Sequence, residues 1–184
     1  PYIAVIGGAK VSSKLKLLKH INSVADHIVV GGGIANTFLK AAGFNIGKSL
    51  VEDSMISIAK EILESGKVVL PKNVVTSSSF EGENISEKSI LEITEDEMIL
   101  DLDIDQDTFF LINKSKTILW NGPMGVFENN FFEKGTKDLS KAIAKAKAFT
   151  LAGGGETLTA INKYINSDDV CLLYTSDAAD DMQC

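Results

Sequence analysis

The most informative absence from this 184-residue chain is arginine, because all eighteen basic side chains are lysine. Guanidinium groups make the commonest bidentate contacts to guanine bases, and no lysine stripe here is interleaved with aromatic residues. Cysteine is also scarce: Cys171 and Cys184 provide neither a disulfide framework nor a zinc-ligand spacing. These absences argue against nucleic-acid binding, and they favour a reducing, cytoplasmic location.

Histidine and long apolar segments are also in short supply. His20 and His27 are not grouped in the sequence with other residues that could bind a metal. Pro1 carries no charged leader, and no apolar run reaches the roughly 20 residues that a membrane-spanning helix needs. We therefore expect no histidine metal centre, no secretion and no membrane association.

The net charge of −7 is distributed unevenly along the chain. Residues 81–107 hold eleven acidic groups and a single basic one, Lys88, while residues 166–184 hold five aspartates and no lysine. The rest of the chain therefore carries about +8. This positive remainder can favour an anionic ligand.

Four short apolar runs each end in a glycine-containing turn. The turns are Gly7-Gly8, Gly31-Gly32-Gly33, Asn121-Gly122-Pro123 and Gly153-Gly154-Gly155. Buried parallel strands read as short apolar runs, and parallel sheets bind ligands beyond the carboxyl ends of their strands. Glycine there lets backbone amides approach a ligand, and a helix that begins next offers its positive end to an anion. The pattern predicts a phosphate-bearing ligand lying across one edge of a sheet.

Strands and helices alternate along most of the sequence. The apolar patterns predict strands near 2–6, 27–30, 67–70, 74–77, 117–120 and 149–152, and helices near 11–25, 34–42, 52–65, 131–147 and 156–165. This alternation predicts an α/β fold: a doubly wound, mainly parallel sheet with helices on both faces, in a Rossmann-like three-layer sandwich. The acidic stretch 81–116 lacks the pattern, and we expect it to be irregular and solvated.

Two segments come close to known nucleotide-binding motifs without matching them. Gly43 to Ser49 has three residues between its glycines where a P-loop has four, and it follows a predicted helix instead of a strand. Gly31 to Asn36 begins like a dinucleotide fingerprint, but Asn36 stands where the last glycine or alanine belongs. A P-loop is therefore disfavoured, and a dinucleotide-binding Rossmann domain is kept only as an alternative.

Lys14 is the most informative side chain of the first predicted helix. At 3.6 residues per turn it lies inside the apolar arc that runs from Val11 to Ala25, whereas Lys16 points the other way. Lys10, four residues earlier, projects from the same side as Lys14. A lysine on a buried arc costs free energy unless it is paired, faces a ligand or extends its charged end to solvent. Beside the turn Gly7-Gly8, we favour a contact with phosphate.

Two acidic residues follow glycine turns, and each has two interpretations. Glu156 opens the last predicted helix, where a carboxylate either stabilises the helix N-terminus by up to about 1 kcal/mol or binds a phosphate-bridging Mg²⁺. Glu128 ends the turn that starts at Asn121, as either a surface acid or a partner for sugar hydroxyls. The residue pattern leaves both pairs of interpretations open.

Three segments resemble the phosphoglycerate kinase family in their sequence, order and spacing. They are Gly7–Lys14 (GGAKVSSK), Gly31–Leu39 (GGGIANTFL) and Trp120–Glu128 (WNGPMGVFE). Gly153–Thr157 follows where the family's last nucleotide loop is expected, and the likeness covers roughly residues 1–169. It corresponds to the C-terminal, nucleotide-binding half of a two-domain enzyme. The resemblance implies phosphoryl transfer between 1,3-bisphosphoglycerate and ADP, with Mg²⁺, to give 3-phosphoglycerate and ATP in a monomeric enzyme.

The resemblance also implies roles for individual residues. Lys10 resembles the lysine that steadies the transferring phosphoryl group, and Lys14 resembles the one that holds nucleotide phosphates. Glu128 matches the ribose-binding acid, and Glu156 stands at the position of the Mg²⁺ ligand. The other residues implied to bind the nucleotide are Gly8, Ala9, Gly32, Gly33, Asn121, Gly122, Pro123, Gly154, Gly155 and Thr157.

The sequence departs from that family in three places. Glu156 replaces the usual aspartate, and the arginine-bearing N-terminal half that holds phosphoglycerate has no counterpart here. No glycine follows Gly155, although the family has a late segment rich in serine, threonine and glycine that closes the active site. Residues 170–184 form an atypical tail instead, which we interpret as disordered or as foreign sequence translated in frame.

Together these features predict a nucleotide-binding domain over residues 1–169 that binds nucleotide but is inactive by itself. Two alternatives are a nucleotide-binding module without catalysis and the dinucleotide-binding domain already mentioned. Binding of Mg·ADP without binding of NAD would favour the nucleotide-binding module over the dinucleotide-binding domain.

Overall fold

A computed structural model of the protein describes residues 1–174. The strands are β1 (Tyr2–Ile6), β2 (His27–Val30), β3 (Val68–Val69), β4 (Asn73–Ser77), β5 (Ser86–Ser89), β6 (Met98–Leu102), β7 (Thr117–Asn121), β8 (Phe149–Gly153) and β9 (Leu172–Tyr174). The α-helices are α1 (Leu15–Val24), α2 (Gly32–Ala41), α3 (Ile56–Leu63), α4 (Gln106–Lys114), α5 (Lys134–Lys145) and α6 (Gly155–Tyr164).

Six strands form the main sheet in the order β3-β2-β1-β7-β8-β9, and every neighbouring pair in it is parallel. From β1 the chain extends the sheet in one direction through β2 and β3, and it later returns to the other side of β1 with β7. Right-handed crossovers on the two sides of β1 place their helices on opposite faces of the sheet. The predicted doubly wound α/β fold is confirmed.

The centre of the sheet is also the centre of the core. Residues Ile3 to Ile6 of β1 are all completely buried, as expected for a central parallel strand covered on both faces. The neighbouring strand β7 contributes Trp120, whose indole N–H donates to the carbonyl oxygen of Gly122 at 3.0 Å. This bond satisfies the one polar group of a large buried ring, so the start of the following turn is fixed to the core.

A second sheet corrects the prediction for residues 81–116. Strands β5, β4 and β6 form an antiparallel three-stranded sheet, in that order, and α4 follows β6. The segment is therefore regular, and the strand predicted near 74–77 belongs to this second sheet. Its acidic side chains are partly paired: Glu97 binds Lys88 at 2.9 Å, and Lys134 of α5 binds Asp103 at 2.9 Å. High charge density made an ordered segment look like a solvated loop.

The first predicted helix begins later than expected. Residues Ser12–Lys14 form a 3-10 turn, and α1 begins only at Leu15. The apolar arc is nevertheless real, since Val11, Leu18 and Ile21 are buried while Lys16 is exposed. The prediction of a buried side for this segment is thus confirmed, although its first turn is not α-helical.

The sheet continues past the predicted domain boundary at residue 169. Val170 is buried, and Leu172–Tyr174 pairs with β8 as the parallel edge strand β9. Residues 170–174 therefore belong to the fold and are not a disordered tail, whereas residues 175–184 lie outside the described part. Their foreign origin stays a prediction. In residues 1–174 no helix is both long and apolar enough to span a membrane.

Candidate functional site

A cavity of about 190 Å³ opens beyond the carboxyl ends of β1, β2 and β7. This is the point where the strand order of the main sheet reverses, and doubly wound sheets bind their ligands there. The lining residues are Gly8, Ala9, Gly32, Gly33, Asn36, Leu50, Phe80, Met98, Ile99, Leu100, Leu102, Pro123, Met124, Gly125, Val126, Glu128 and Glu156. Seven residues predicted to form the site therefore line one cavity: Gly8, Ala9, Gly32, Gly33, Pro123, Glu128 and Glu156.

The turns after β1 and β7 lie directly against each other. The backbone N–H of Gly7 donates to the carbonyl oxygen of Asn121 at 2.8 Å. A Cβ added at Gly7 would collide with the carbonyl oxygen of Pro123, and one added at Gly122 would collide with that of Gly7. These two glycines are thus required for close contact between protein segments, whereas the sequence suggested only a close approach to ligand.

The turn at the start of α2 is fixed in a similar way. The N–H of Gly32 donates to the carbonyl oxygen of Met124 at 2.9 Å, and the N–H of Ile34 donates to that of Gly8 at 3.0 Å. A Cβ on Gly33 would collide with the carbonyl oxygen of Ala9. The loops after β1, β2 and β7 therefore interlock through their backbone, and their glycines let a flat ligand pack closely against them.

Lys14 lies at the same edge, although it is not part of the cavity lining. Its ammonium group donates to the carbonyl oxygen of Gly7 and to that of Asn121, the latter at 3.2 Å. Burial lowers the pKa of Lys14 to about 8, and the charge of Glu156 opposes this shift. The prediction that Lys14 lies half-buried beside the glycine turn is confirmed; its contact with phosphate stays a prediction.

Glu156 and Glu128 contribute the two carboxylates of the cavity wall. Glu156 stands in the first turn of α6, and both side chains are exposed. Among residues 1–174, no group of three or more histidine, cysteine, aspartate or glutamate side chains is placed to hold a metal ion. A metal at this edge would therefore have at most two such side chains as ligands, and it would take its remaining ligands from phosphate or water.

Other predicted residues lie near the cavity and bind protein groups. The amide Nδ2 of Asn121 donates at 3.1 Å to both the carbonyl oxygen of Gly153 and the hydroxyl of Tyr174. The buried hydroxyl of Thr157 accepts from the N–H of Gly122 at 2.8 Å. The structure thus gives Asn121 and Thr157 roles in fixing the turn after β7 and the start of α6.

The start of α6 lies at the sheet edge close to Lys14. Gly154, with φ of 98°, precedes the helix, and a Cβ added there would be 3.5 Å from Asn121 Nδ2. Gly155 is the first helical residue, is exposed and has open space around its Cα. This exposed helix N-terminus is suited to an anion, as the sequence indicated.

Lys10 also lies apart from the cavity lining. It is exposed in the loop after β1. Hydrogen bonds from Ser12 hold the pKa of the nearby Glu52 below its usual value, and the charge of Lys10 adds to this effect. Lys10 therefore lies on the outer side of the loop that carries Gly8, where it faces solvent in this conformation.

The apolar side chains of the cavity lining were not predicted from the sequence. They come from β6 and its surroundings, with Met98, Leu100 and Leu102 on the strand and Leu50 and Phe80 on loops. The one available signal was the apolar run from Met98 to Leu100, which the acidic residues around it concealed. These side chains form the apolar wall of a cavity whose lining also includes glycine-rich backbone.

Asp101 holds this wall in position. It lies in β6 and is almost completely buried, and its carboxylate accepts from the N–H groups of Leu102 at 2.9 Å and Gly135 at 2.8 Å. Burial raises the pKa of Asp101 to about 7, and the two hydrogen bonds oppose the shift. The bond to Gly135 links β6 to the first turn of α5, so the apolar wall is tied to the main sheet's helical layer.

Comparison with known protein families finds a match over almost the whole chain. The family model described as phosphoglycerate kinase matches residues 1–180. A phosphoglycerate kinase of Blochmanniella floridana is 46% identical over 182 residues, which cover 97% of this chain and 46% of the relative. One of Vibrio campbellii is 43% identical over 182 residues, covering 97% of this chain and 47% of the relative.

Solved structures of similar proteins agree with the observed fold. The structure of phosphoglycerate kinase from Coxiella burnetii matches with a TM-score of 0.89 and 38% identity, over 95% of this chain and 47% of that one. Phosphoglycerate kinase from Pyrococcus horikoshii matches with a TM-score of 0.78 and 31% identity, over 94% of this chain and 46% of that one. The chain therefore spans about half the length of the relatives that it matches.

Proposed function

Because this chain belongs to the phosphoglycerate kinase family, we propose that it binds ADP or ATP in the cavity beyond β1, β2 and β7. The observation that carries this proposal is the cavity lining, which combines the glycine-rich backbone of Gly8, Ala9, Gly32 and Gly33 with the apolar side chains of β6. A flat base suits such a lining, because glycine backbone permits close approach and apolar side chains exclude water.

The phosphates of the nucleotide would extend toward Lys14 and the start of α6. Lys14 already has its ammonium group at the sheet edge, held by the carbonyl oxygens of Gly7 and Asn121. The exposed N–H groups at Gly155 add the positive end of a helix. A charged donor and a helix N-terminus at one edge suit a polyphosphate better than a neutral ligand.

Mg²⁺ fits this arrangement with Glu156 as its protein ligand. The carboxylate is exposed on the cavity wall beside the proposed phosphate position, and Mg²⁺ commonly uses one or two carboxylates together with substrate phosphates. The ion would neutralise phosphate charge, while Lys14 supplies a further positive charge. Glu128, on the same wall, would accept hydrogen bonds from the ribose hydroxyls.

The reaction that we propose for the whole enzyme is phosphoryl transfer between 1,3-bisphosphoglycerate and ADP. This chain would supply the nucleotide side of that reaction, and Lys10 would steady the transferring group once a second domain faces it. Transfer of this kind depends mainly on positioning and on charge stabilisation. We propose that the whole enzyme is monomeric and acts in glycolysis in the cytoplasm.

Calorimetric titration of the purified protein with Mg·ADP and, separately, with NAD tests the nucleotide proposal. We expect saturable 1:1 binding of Mg·ADP and no detectable heat from NAD. Binding of NAD alone would favour the dinucleotide-binding alternative, and absence of binding for both would refute the proposal. A nucleotide-binding module without any catalytic role would also bind Mg·ADP, so it is separated from an enzyme half by the reconstitution described in the Discussion.

A further inference from the structure

Asn36 presents an unused hydrogen-bond acceptor in the cavity wall. Its side chain is only 3% exposed, and its Nδ2 donates to the carbonyl oxygen of Leu50 at 3.0 Å. Its Oδ1 is buried and has no hydrogen-bond partner within the described residues. Since the bond to Leu50 fixes which end of the amide is the donor, the unpaired end is the acceptor. Buried acceptors are nearly always satisfied in folded proteins, so this one calls for a partner.

The position of Asn36 identifies which part of a ligand it would meet. Asn36 projects from α2 toward the loop that carries Leu50, and the N–H of Ile99 in β6 donates to the hydroxyl of Ser49 at 2.8 Å. Asn36 thus belongs to the corner between α2 and β6, where Leu50 and Ile99 also line the cavity. An apolar corner with a single acceptor suits a flat ring that carries one donor group.

We propose that Asn36 Oδ1 accepts a hydrogen bond from the exocyclic amino group of adenine and makes the site prefer a 6-aminopurine to a 6-oxopurine. This inference rests on the proposed nucleotide binding in the same cavity. A 6-oxo group would place a second acceptor against Oδ1, and sites built to pair with a donor reject analogues that lack it.

A base can reach Asn36 Oδ1 only if neighbouring residues move, because this oxygen is itself buried. The Leu50 side chain is 53% exposed and belongs to no helix or strand. We infer that this exposed loop is the part that moves to admit a ligand, because Asn36 itself is held within α2.

The test compares the dissociation constants of ADP, inosine diphosphate and purine riboside diphosphate, which carry an amino group, an oxygen and a hydrogen at position 6. The wild-type protein should bind ADP about tenfold more tightly than inosine diphosphate, equivalent to about 1.4 kcal/mol, with the unsubstituted purine between them. In Asn36→Leu, which has a similar volume and no acceptor, ADP and inosine diphosphate should differ less than twofold. Asn22→Leu is the matched control, because Asn22 Oδ1 is also buried without a partner among residues 1–174 but lies on α1, outside the cavity lining.

Each outcome of this experiment decides the inference. Equal affinity of the wild-type protein for ADP and inosine diphosphate would overturn it, and this comparison needs no variant to fold. Preserved discrimination in Asn36→Leu, with the melting temperature of the variant unchanged, would overturn it as well. If neither diphosphate binds, nucleotide binding itself fails; if both bind equally, only the role of Asn36 fails.

Discussion

The ammonium group of Lys14 lies 3.2 Å from the carbonyl oxygen of Asn121 and also contacts that of Gly7. It therefore joins the ends of β1 and β7, the two strands between which the sheet reverses its order. With a pKa of about 8, this half-buried lysine is mainly charged at neutral pH, and among residues 1–174 it forms no salt bridge with a carboxylate. It is thus available to an anion that approaches the same edge.

The first prediction concerns this charge. Lys14→Ala should weaken Mg·ADP binding by roughly 1.5–3 kcal/mol, the usual worth of a charge-assisted hydrogen bond. Lys16→Ala should have little effect, because Lys16 is exposed on the opposite side of α1. Isothermal titration calorimetry of both variants measures the difference, with circular dichroism to check folding. Equal losses would show that Lys14 has no special position.

The second prediction concerns proton uptake. The folded protein holds the pKa of Lys14 at about 8, below its ordinary value of 10.5, because the group is partly desolvated. A bound polyphosphate favours the charged form and raises this pKa again, so binding at pH 8 to 9 should take up protons and weaken as the pH rises. Calorimetry at pH 8.5 in two buffers of different ionisation enthalpy measures the uptake. Lys14→Met should lose it; the same uptake in that variant would assign it to another group.

The third prediction concerns the metal ion. If Glu156 is the carboxylate ligand of Mg²⁺, then Glu156→Gln should reduce the gain in ADP affinity that Mg²⁺ provides and leave metal-free ADP binding nearly unchanged. Glu128→Gln is a suitable comparison, because its expected contact is with ribose and should be lost equally with and without Mg²⁺. Titrations of ADP at several Mg²⁺ concentrations distinguish the two patterns. An unchanged Mg²⁺ dependence in Glu156→Gln would exclude the proposed ligand.

The fourth prediction concerns the turn after β7. Gly122 has φ of 107°, and an added Cβ would collide with the carbonyl oxygen of Gly7. Gly66 also has a positive φ, 70°, but nothing lies within 4 Å of its added Cβ. In urea denaturation, Gly66→Ala should cost about 1–2 kcal/mol from backbone strain alone, whereas Gly122→Ala should cost more than about 3 kcal/mol. Similar losses of stability in the two variants would mean that the turn after β7 can move away from the turn after β1 at little cost.

The fifth prediction concerns catalysis. We expect the chain by itself to bind nucleotide but to make no ATP from 1,3-bisphosphoglycerate in a coupled assay. Positioning of reacting groups contributes about 7–11 kcal/mol to catalysis, and the residues that would position the acyl phosphate are expected in the part of the relatives that this chain does not match.

Reconstitution provides the control for this experiment. Addition of a family-like N-terminal half together with a family-like C-terminal segment should restore activity, whereas the N-terminal half alone should leave it low. Turnover by the isolated chain near that of an intact two-domain kinase would contradict the prediction. Binding without activity after full reconstitution would favour the non-catalytic module.

Local patterns predicted the main sheet well because its strands are short apolar runs that end in glycine. β1 and β7 were both placed within one residue of their observed ends. The second sheet was not predicted, because its strands β5 and β6 lie within the acidic stretch and β5 (SEKS) has no apolar face of its own. Both strands are ordered by pairing with β4, which lies between them in the sheet. The paired residues are too far apart in the sequence for a local pattern to reveal the pairing.

The sequence by itself determined the α/β class, the glycine turns at the sheet edge and the position of Lys14 beside them, since each follows from spacing along a few residues. Only the tertiary structure decided what the other predicted residues contact. Thr157 binds the N–H of Gly122 from 35 residues away, and Asn121 binds Tyr174 across 53. It also placed Leu100 and Gly33 in the lining of the same cavity. These contacts form only when segments that are distant in the sequence pack together. They could not be predicted from the sequence, because such contacts produce no periodic pattern of residue types.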